Sequence, residues 1–470
     1  MSVVTEPIML DTTGQAIVET LSQITAMQGP AGADGVDGED GVSPTVTVTT
    51  ITGGHRITIT DASGAHSFDV MDGEGSSEHI YNVKDYGAAG DGETDDYDAI
   101  MAAVADAESH SGADGTRATV YFPAGRYYVR WSIGLDETAT PISIIGESSA
   151  SVTITGSVSG PLLGLHRTDS GMSYGSTISG LTLQTNSSAT NGLYIEQQGQ
   201  CVIEDVVIYN SNSAATGCGL VVDHSSQVFF SHIQVQGFDT GCYIANPAGY
   251  GDVYFSDCRF DGNRTNGFEA NSVSGLYLSN VTMYGNGVTG LVLGHASLSP
   301  PPTPVAENIF LNNVVADSSG LMNGALIWAD NVMMSNCWFA TQSGEPATST
   351  NHGLYIENSS NITITASTFR NNIDNGIYAT NSNYISINGC IFRRNGQRSP
   401  LTYALHTVSC TKVTITNNLF VPEDEQECGI ILDNCDYYIV TGNDLAYATA
   451  GVYATNDPSG VHKVVENNLE

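Results

Sequence analysis

The sequence predicts a mainly β protein whose bulk is a right-handed, single-stranded parallel β-helix. Three observations lead there. Similar segments open on glycines at 192, 219, 241, 267, 290, 324, 353, 376, 429 and 451, with Ala404 filling one gap, a mean step of about 26 residues. One residue after each opening stand Leu193, Leu220, Cys242, Phe268, Leu291, Ala325, Leu354, Ile377, Leu405, Ile430 and Val452. Three residues after it stand Ile195, Val222, Ile244, Ala270, Leu293, Ile327, Ile356, Ala379, Thr407, Leu432 and Ala454, with Thr407 alone polar. Strand side chains alternate in direction, so both positions face one core, and each repeat buries its face against its neighbours.

The elements follow in chain order. Residues 1–28 carry a weak helical pattern, Ile17, Leu21 and Ile24, and read as a docking tail. At 29–41, Gly29, Gly32, Gly35, Gly38 and Gly41 recur every third residue, a collagen-like run. Only glycine fits the axis where three such chains meet, so the period implies a homotrimer; a flexible Gly/Asp linker has the same composition. Five triplets are too few to hold three chains alone. Residues 42–78 alternate Thr with Val and Ile around Gly53-Gly54, a small β-hairpin module ending in a Gly-rich linker.

The β-helix domain is expected at 79–470. Thr94 reads as a helix N-cap ahead of Tyr97, Ile100, Val104 and Ala107 at helical spacing. Residues 118–129 then read as strand, Pro-Gly turn, strand. A second strand follows in each repeat, as in VFFSHIQV and VYFSDCRF, with Cys258, Cys337 and Cys390 in one inward column. Asn263, Asn286, Asn372 and Asn395 suit tight left-handed turns at the ends of repeats. The last repeat stops with no helical cap, so trimer contacts, another protein or a further module is expected over that end.

The motifs NVKDYGAAGDGETDD, VYFPAGRYYV and ISIIGES closely resemble the opening of the pectate-lyase superfamily, a domain common in phage tailspikes and in polysaccharide-active proteins. The resemblance covers about residues 80–150 by motif and the rest by repeat pattern. It implies that the short helix covers one end of a β-helix and that the chain is of the tailspike or tail-fibre type. Chemistry does not travel with the fold. VVDHSS (221–226) resembles the Asp-His pair on a pectate-lyase strand, but the arginine motif of those lyases and the polygalacturonase motifs are not visible.

Composition bounds the partners. Fifty acidic and 14 basic residues give a net charge of −36. That field repels phosphate and anionic bilayers, so neither nucleic acid nor membrane insertion is expected. The N-terminus does not read as a signal peptide, which fits a virion part made in a host cytoplasm and acting outside the cell. Nine cysteines without a framework spacing argue against a disulfide scaffold.

Positions two and four residues after each opening must face outward. The first holds Tyr194, Tyr243, Glu269, Tyr355 and Tyr378; the second holds Glu196, Asp223, Trp328 and Glu357. Aromatic rings beside carboxylates suit sugars, whose apolar faces stack and whose hydroxyls donate. Turns lie about 4.8 Å apart, close to the rise per sugar in an extended glycan. Glu196 and Asp223, on adjacent turns, are expected about 5 Å apart, the spacing of a retaining glycosidase. Glu357 beside Trp328 is the second candidate acid. The expected substrate-binding set is Tyr194, Tyr243, Glu269, Trp328, Tyr355 and Tyr378; the catalytic set is Glu196, Asp223 and Glu357. No cofactor is required, although the carboxylate pair also suits a divalent cation such as calcium. The expected partners are a bacterial surface glycan and, through the N-terminus, other tail or baseplate proteins. The same strip also suits a subunit interface, where Tyr and Trp are enriched, so three functions stand: a depolymerase, a non-catalytic receptor-binding protein, or a structural tail protein.

Overall fold

The computed structural model describes residues 43–51, 54–71, 79–111, 117–136, 141–167, 171–246, 250–294, 306–340, 351–397, 403–421, 429–446, 451–458 and 462–469. The docking tail and the collagen-like run lie outside them. The chain divides into two compact units, 1–75 and 76–470.

In the first unit, strands Thr45–Ile51, Gly54–Asp61 and Gly64–Met71 form an antiparallel sheet. Where the alternation suggested two strands there are three. The added turn is short because Asp61 accepts from the Ser63 N–H at 2.8 Å and Gly64 takes φ 127°, a conformation closed to most side chains. Arg56 and Asp69 pair in a fork, at 2.6 and 2.8 Å, across the second and third strands.

The second unit is a parallel β-solenoid of about 12 turns. Each full turn supplies strands to three parallel sheets. The first sheet runs from Ile80–Asn82 to Lys463–Glu466, the second from Asp91–Asp95 to Leu419–Val421, and the third from Ile133–Asp136 to Val452–Thr455. In the third sheet the register pairs Leu193 with Leu220, Leu220 with Cys242, Cys242 with Phe268, and so on to Ile430 with Val452. The inward column expected from the repeat is therefore the observed one. Its members are fully buried up to Ile430, as is the second column up to Leu432. Thr407 is buried as well, with its hydroxyl at 3.4 Å from both the Ile431 carbonyl and the Cys435 thiol. Val452 is only part-buried and Ala454 is exposed, so the core opens on the last turn.

Rung spacing governs what packs inside. Phe230 stacks on Phe255 at 4.5 Å, and Phe339, Phe369, Phe392 and Phe420 form another buried stack at 4.8–5.4 Å. Like residues stack because parallel strands carry equal positions one rung apart. Cys258, Cys337 and Cys390 are buried as small apolar residues, and all eight described cysteines are free thiols.

The corner between the first and second sheets is one left-handed residue per turn, among them Asp205, His232, Asp257, Asn280, Asn313, Asn336 and Asn417, all at φ between 50° and 56°. Asn and Asp tolerate that region better than most residues. Here the sequence reading needs correction. Asn263, Asn286, Asn372 and Asn395 are not the left-handed residues; those are their neighbours Gly262, Gly285, Asn371 and Arg394. The four asparagines point inward and are buried, because the chain must turn there and leaves backbone groups to satisfy. Asn286 accepts from the Asn263 backbone N–H and side-chain amide at 3.0 and 3.1 Å and donates to the Phe260 carbonyl at 2.9 Å. Asn418 and Asn443 repeat the arrangement.

The helix Tyr97–His110 buries Ile100, Ala103, Val104 and Ala107 in the same core. Its N-cap is Asp96, not Thr94, which lies in strand Asp91–Asp95 bonded to Asp91. Asp96 turns back instead and accepts from the Ala89 and Gly90 N–H groups at 2.6 and 3.1 Å. Among the described residues no helix is long and apolar enough to cross a membrane.

Candidate functional site

The third sheet places Glu196 directly opposite Asp223 in register, and Tyr194 opposite Val221. The alternation that buries Leu193 and Ile195 points Tyr194 and Glu196 out. One oxygen of Glu196, one of Asp223 and one ring nitrogen of His224 all lie within 4.8 Å of one another, and all three residues are part-buried. Asp223 is the hub. It accepts from the Tyr194 hydroxyl at 3.4 Å and lies 2.7 Å from His224 Nδ1. Burial, then the charges of Glu196 and Asp223, push the Tyr194 phenol well above its usual range, so it remains a donor.

His224 entered the sequence reading only within VVDHSS and was not assigned a role. It occupies the left-handed corner after the strand, at φ 44°. Gln197, Asn358, Asn381, Ser409 and Asn434 hold the matching corner elsewhere. One histidine in a column of amides and hydroxyls is the signal that could have found it. The corner turns its ring back toward Asp223 and edge-on to Tyr250, at 5.2 Å between centroids.

The strip continues through Tyr243 and Glu269 on the next two turns. Glu269 is held by two amides, Asn266 and Asn271, each at 2.8 Å. Asn271 sits in a bulge that shifts Ala245 onto Ser272, which lets it also reach the Tyr243 hydroxyl at 3.3 Å. The remaining predicted residues form a second cluster. Tyr355 and Tyr378 pack at 5.5 Å, His352 stacks on Tyr378 at 4.9 Å, and His406 meets Tyr378 edge-on at 5.2 Å. Burial and the neighbouring Glu357 raise the Tyr355 phenol.

Two expectations change. Five turns separate Asp223 from Glu357, about 24 Å at about 4.8 Å per turn. Glu357 and the Glu196–Asp223 pair therefore cannot act on one bond. Trp328 is not an exposed stacking platform. It is 4% accessible, stands just past the strand Ala325–Ile327, and its backbone N–H donates to the Leu293 carbonyl at 2.7 Å. A ring so covered offers a sugar no face.

Comparison with known proteins bears on this geometry. Residues 80–292 match the family of rhamnogalacturonase A/epimerase, pectate lyase-like proteins. Over that stretch the chain carries a pectate-lyase-like β-helix. Residues 308–470 of this β-helix match the family of the periplasmic copper-binding protein NosD. Among solved structures, it is similar to tailspike protein 3 of bacteriophage CBA120, with TM-score 0.58 and 15% identity over 86% of this chain and 63% of that one. It is also similar to the A-module of Azotobacter vinelandii mannuronan C-5 epimerase AlgE4, with TM-score 0.54 and 19% identity over 82% of this chain and all of that one. At these identities the likeness is one of fold. A 65-residue stretch is 49% identical to Azotobacter vinelandii alginate lyase 7; it amounts to 14% of this chain and 7% of that protein's length.

Proposed function

We propose that this pectin-lyase-like β-helix binds a bacterial surface polysaccharide along its third sheet and hydrolyses it at Glu196 and Asp223. The observation that carries the reading is the register pairing of two part-buried carboxylates within 4.8 Å, flanked by tyrosines. Retaining glycosidases hold their carboxyl groups about 5–5.5 Å apart. Asp223, already accepting from Tyr194 and close to His224, is the nucleophile; Glu196, across the rung, protonates the leaving oxygen and then activates water. Tyr194 and Tyr243 take the flanking sugars, and Tyr355 and Tyr378 hold the chain about 20 Å farther along. The fold shared with a tailspike and with a polysaccharide epimerase supports a glycan as ligand. It also supports a place in a phage tail, with residues 1–28 docking to other tail proteins and three chains assembling through the triplet run.

A second reading rests on His224. An imidazole beside a carboxylate and a tyrosine also suits proton abstraction next to a sugar carboxylate, the chemistry of a lyase. A divalent cation such as calcium held by Glu196, Asp223 and His224 would serve that reaction by neutralising the sugar acid. Copper is not proposed. Among the described residues the one cluster of ligand-type side chains is this one, outside the NosD-like stretch.

Incubation with a panel of capsular polysaccharides and alginate, with and without EDTA, separates the readings. New reducing ends without absorbance at 235 nm mean hydrolysis, and absorbance at 235 nm means elimination. Binding with neither product would leave a receptor-binding protein and remove the catalytic assignment.

A further inference from the structure

The charge of the third sheet narrows what it can hold. Of the 14 basic residues in the chain, only Arg259 and Arg264 fall between 168 and 369, a stretch with 15 Asp and Glu that contains Glu196, Asp223 and Glu357. Arg259 stands in strand Arg259–Asp261 of the second sheet, 2.7 Å from Asp261. Arg264 lies 3.4 Å from Asp239 and donates to the Ala215 carbonyl. From Ile133–Asp136 to Val452–Thr455, the strands of the third sheet contain no lysine and no arginine.

The carboxylates on that sheet are not neutralised by fixed cations. Glu196, Asp223, Glu269, Glu357 and Asp433 are all part-buried. Among the described residues none of the five pairs with a lysine or arginine. Their donors are amides and hydroxyls: Asn266 and Asn271 to Glu269, Thr455 and Asn456 to Asp433, and Tyr194 to Asp223, which also lies beside His224. Turns are about 4.8 Å apart and the Debye length is about 8 Å at physiological salt, so a glycan lying across the rungs passes from the field of one carboxylate into that of another. In water an acid group about 5 Å from one carboxylate weakens binding about fourfold. A polymer with an acid on every sugar meets several. A sugar hydroxyl donates to the same oxygens without that penalty, and an ammonium group is attracted to them.

We infer that the ligand of the third sheet is a polysaccharide whose repeat carries no acid group: no uronate, phosphate or sulfate. The inference rests on the reading of that sheet as a glycan site and names the class of glycan. It also bears on the two chemistries. Elimination needs a carboxyl group on the sugar, next to the carbon that loses its proton. A calcium ion held by Glu196, Asp223 and His224 would neutralise one such group. It would not reach the groups that meet Glu357, five turns and about 24 Å from Asp223. A sheet without fixed cations therefore suits hydrolysis of an uncharged or amine-bearing chain.

An array of bacterial surface polysaccharides of known composition, probed with the full chain at pH 7.5, tests it. One copy is run with calcium and one with EDTA. The retained polymers are expected to lack acid groups. A retained polymer that contains uronate, phosphate or sulfate, under either condition, overturns the inference and leaves the glycan site standing. Retention of none overturns the glycan site itself and the inference with it. A matched pair then isolates charge. Oxidation of the primary alcohols of a retained polymer to carboxylates is expected to weaken binding by about tenfold or more. The loss should shrink in 0.5 M NaCl, where the Debye length falls to a few ångströms, about 4 Å, and reduction of the carboxylates back to alcohols should restore the affinity. Undiminished binding of the oxidised polymer, or a loss that salt does not touch, overturns the inference.

Discussion

Glu196 and Asp223 are direct register partners on adjacent turns of the third sheet, and Asp223 also lies 2.7 Å from His224 Nδ1. A one-residue slip in either strand would turn that strand's carboxylate into the core. Leu193 and Ile195 on one turn, and Leu220 and Val222 on the next, prevent the slip because they are fully buried. The packing of four aliphatic side chains thus sets the spacing of the candidate acid pair.

Glu196→Gln and Asp223→Asn should each lower reducing-end release by about 10³-fold or more while leaving glycan affinity within a few-fold, because a nucleophile or acid acts mainly in the transition state. Glu357→Gln, about 24 Å away, should leave the rate of release within about twofold. Equal losses in all three variants would show that the carboxylates act only as part of the binding surface.

Tyr355→Ala should weaken binding of a long oligosaccharide by roughly tenfold, about 1.4 kcal/mol, measured by isothermal titration. It should not change the affinity of a fragment that reaches only Tyr194 and Tyr243. Trp328→Phe should leave both affinities unchanged, since its ring is covered. A large affinity loss in the Trp328 variant would mean that the ring becomes available to ligand.

Asn286→Ala strands the Asn263 amide and the Phe260 carbonyl in the core. Buried groups without partners cost about 1–3 kcal/mol each, so the urea midpoint should fall clearly. Ser279→Ala, at an outward position, serves as the control and should move the midpoint little.

His406 gives the fold a pH dependence. Burial lowers its pKa below the usual 6.5, more than the nearby Asp433 raises it. Tyr378 and Tyr403 flank the ring, and among the described residues its Nε2 has no hydrogen-bond partner. The unfolded imidazole takes its proton near 6.5 and the folded one only at lower pH, so this contribution to stability is complete above 6.5 and declines as pH falls below it. The urea midpoint should drop between pH 7 and pH 5, and His406→Gln should flatten that part of the profile. An unchanged slope would assign it to other groups.

The repeat was legible because parallel strands demand the same residue class at the same offset, so eleven turns voted on one pattern. Thr407 was the one dissent, and a carbonyl and a thiol absorb it. What the pattern did not carry was corner geometry. Asn263 and Gly262 are adjacent and both belong at turns, and only the backbone distinguishes a left-handed residue from the amide beside it that satisfies the turn. Offsets likewise placed Trp328 on the outward row, but the strand ends at Ile327 and the ring is covered. The Glu196–Asp223 pair was readable because one repeat step is one rung. His224 was not, because its position depends on a corner at φ 44°.

A crystal structure of Glu196→Gln soaked with an oligosaccharide from the polysaccharide that the protein binds tests the central claim most directly. The account predicts sugar density along the third sheet, with a glycosidic oxygen within hydrogen-bond reach of residue 196 and the anomeric carbon facing Asp223. Density on the first sheet, or on the third sheet but confined to the Tyr355–Tyr378 cluster, would contradict it.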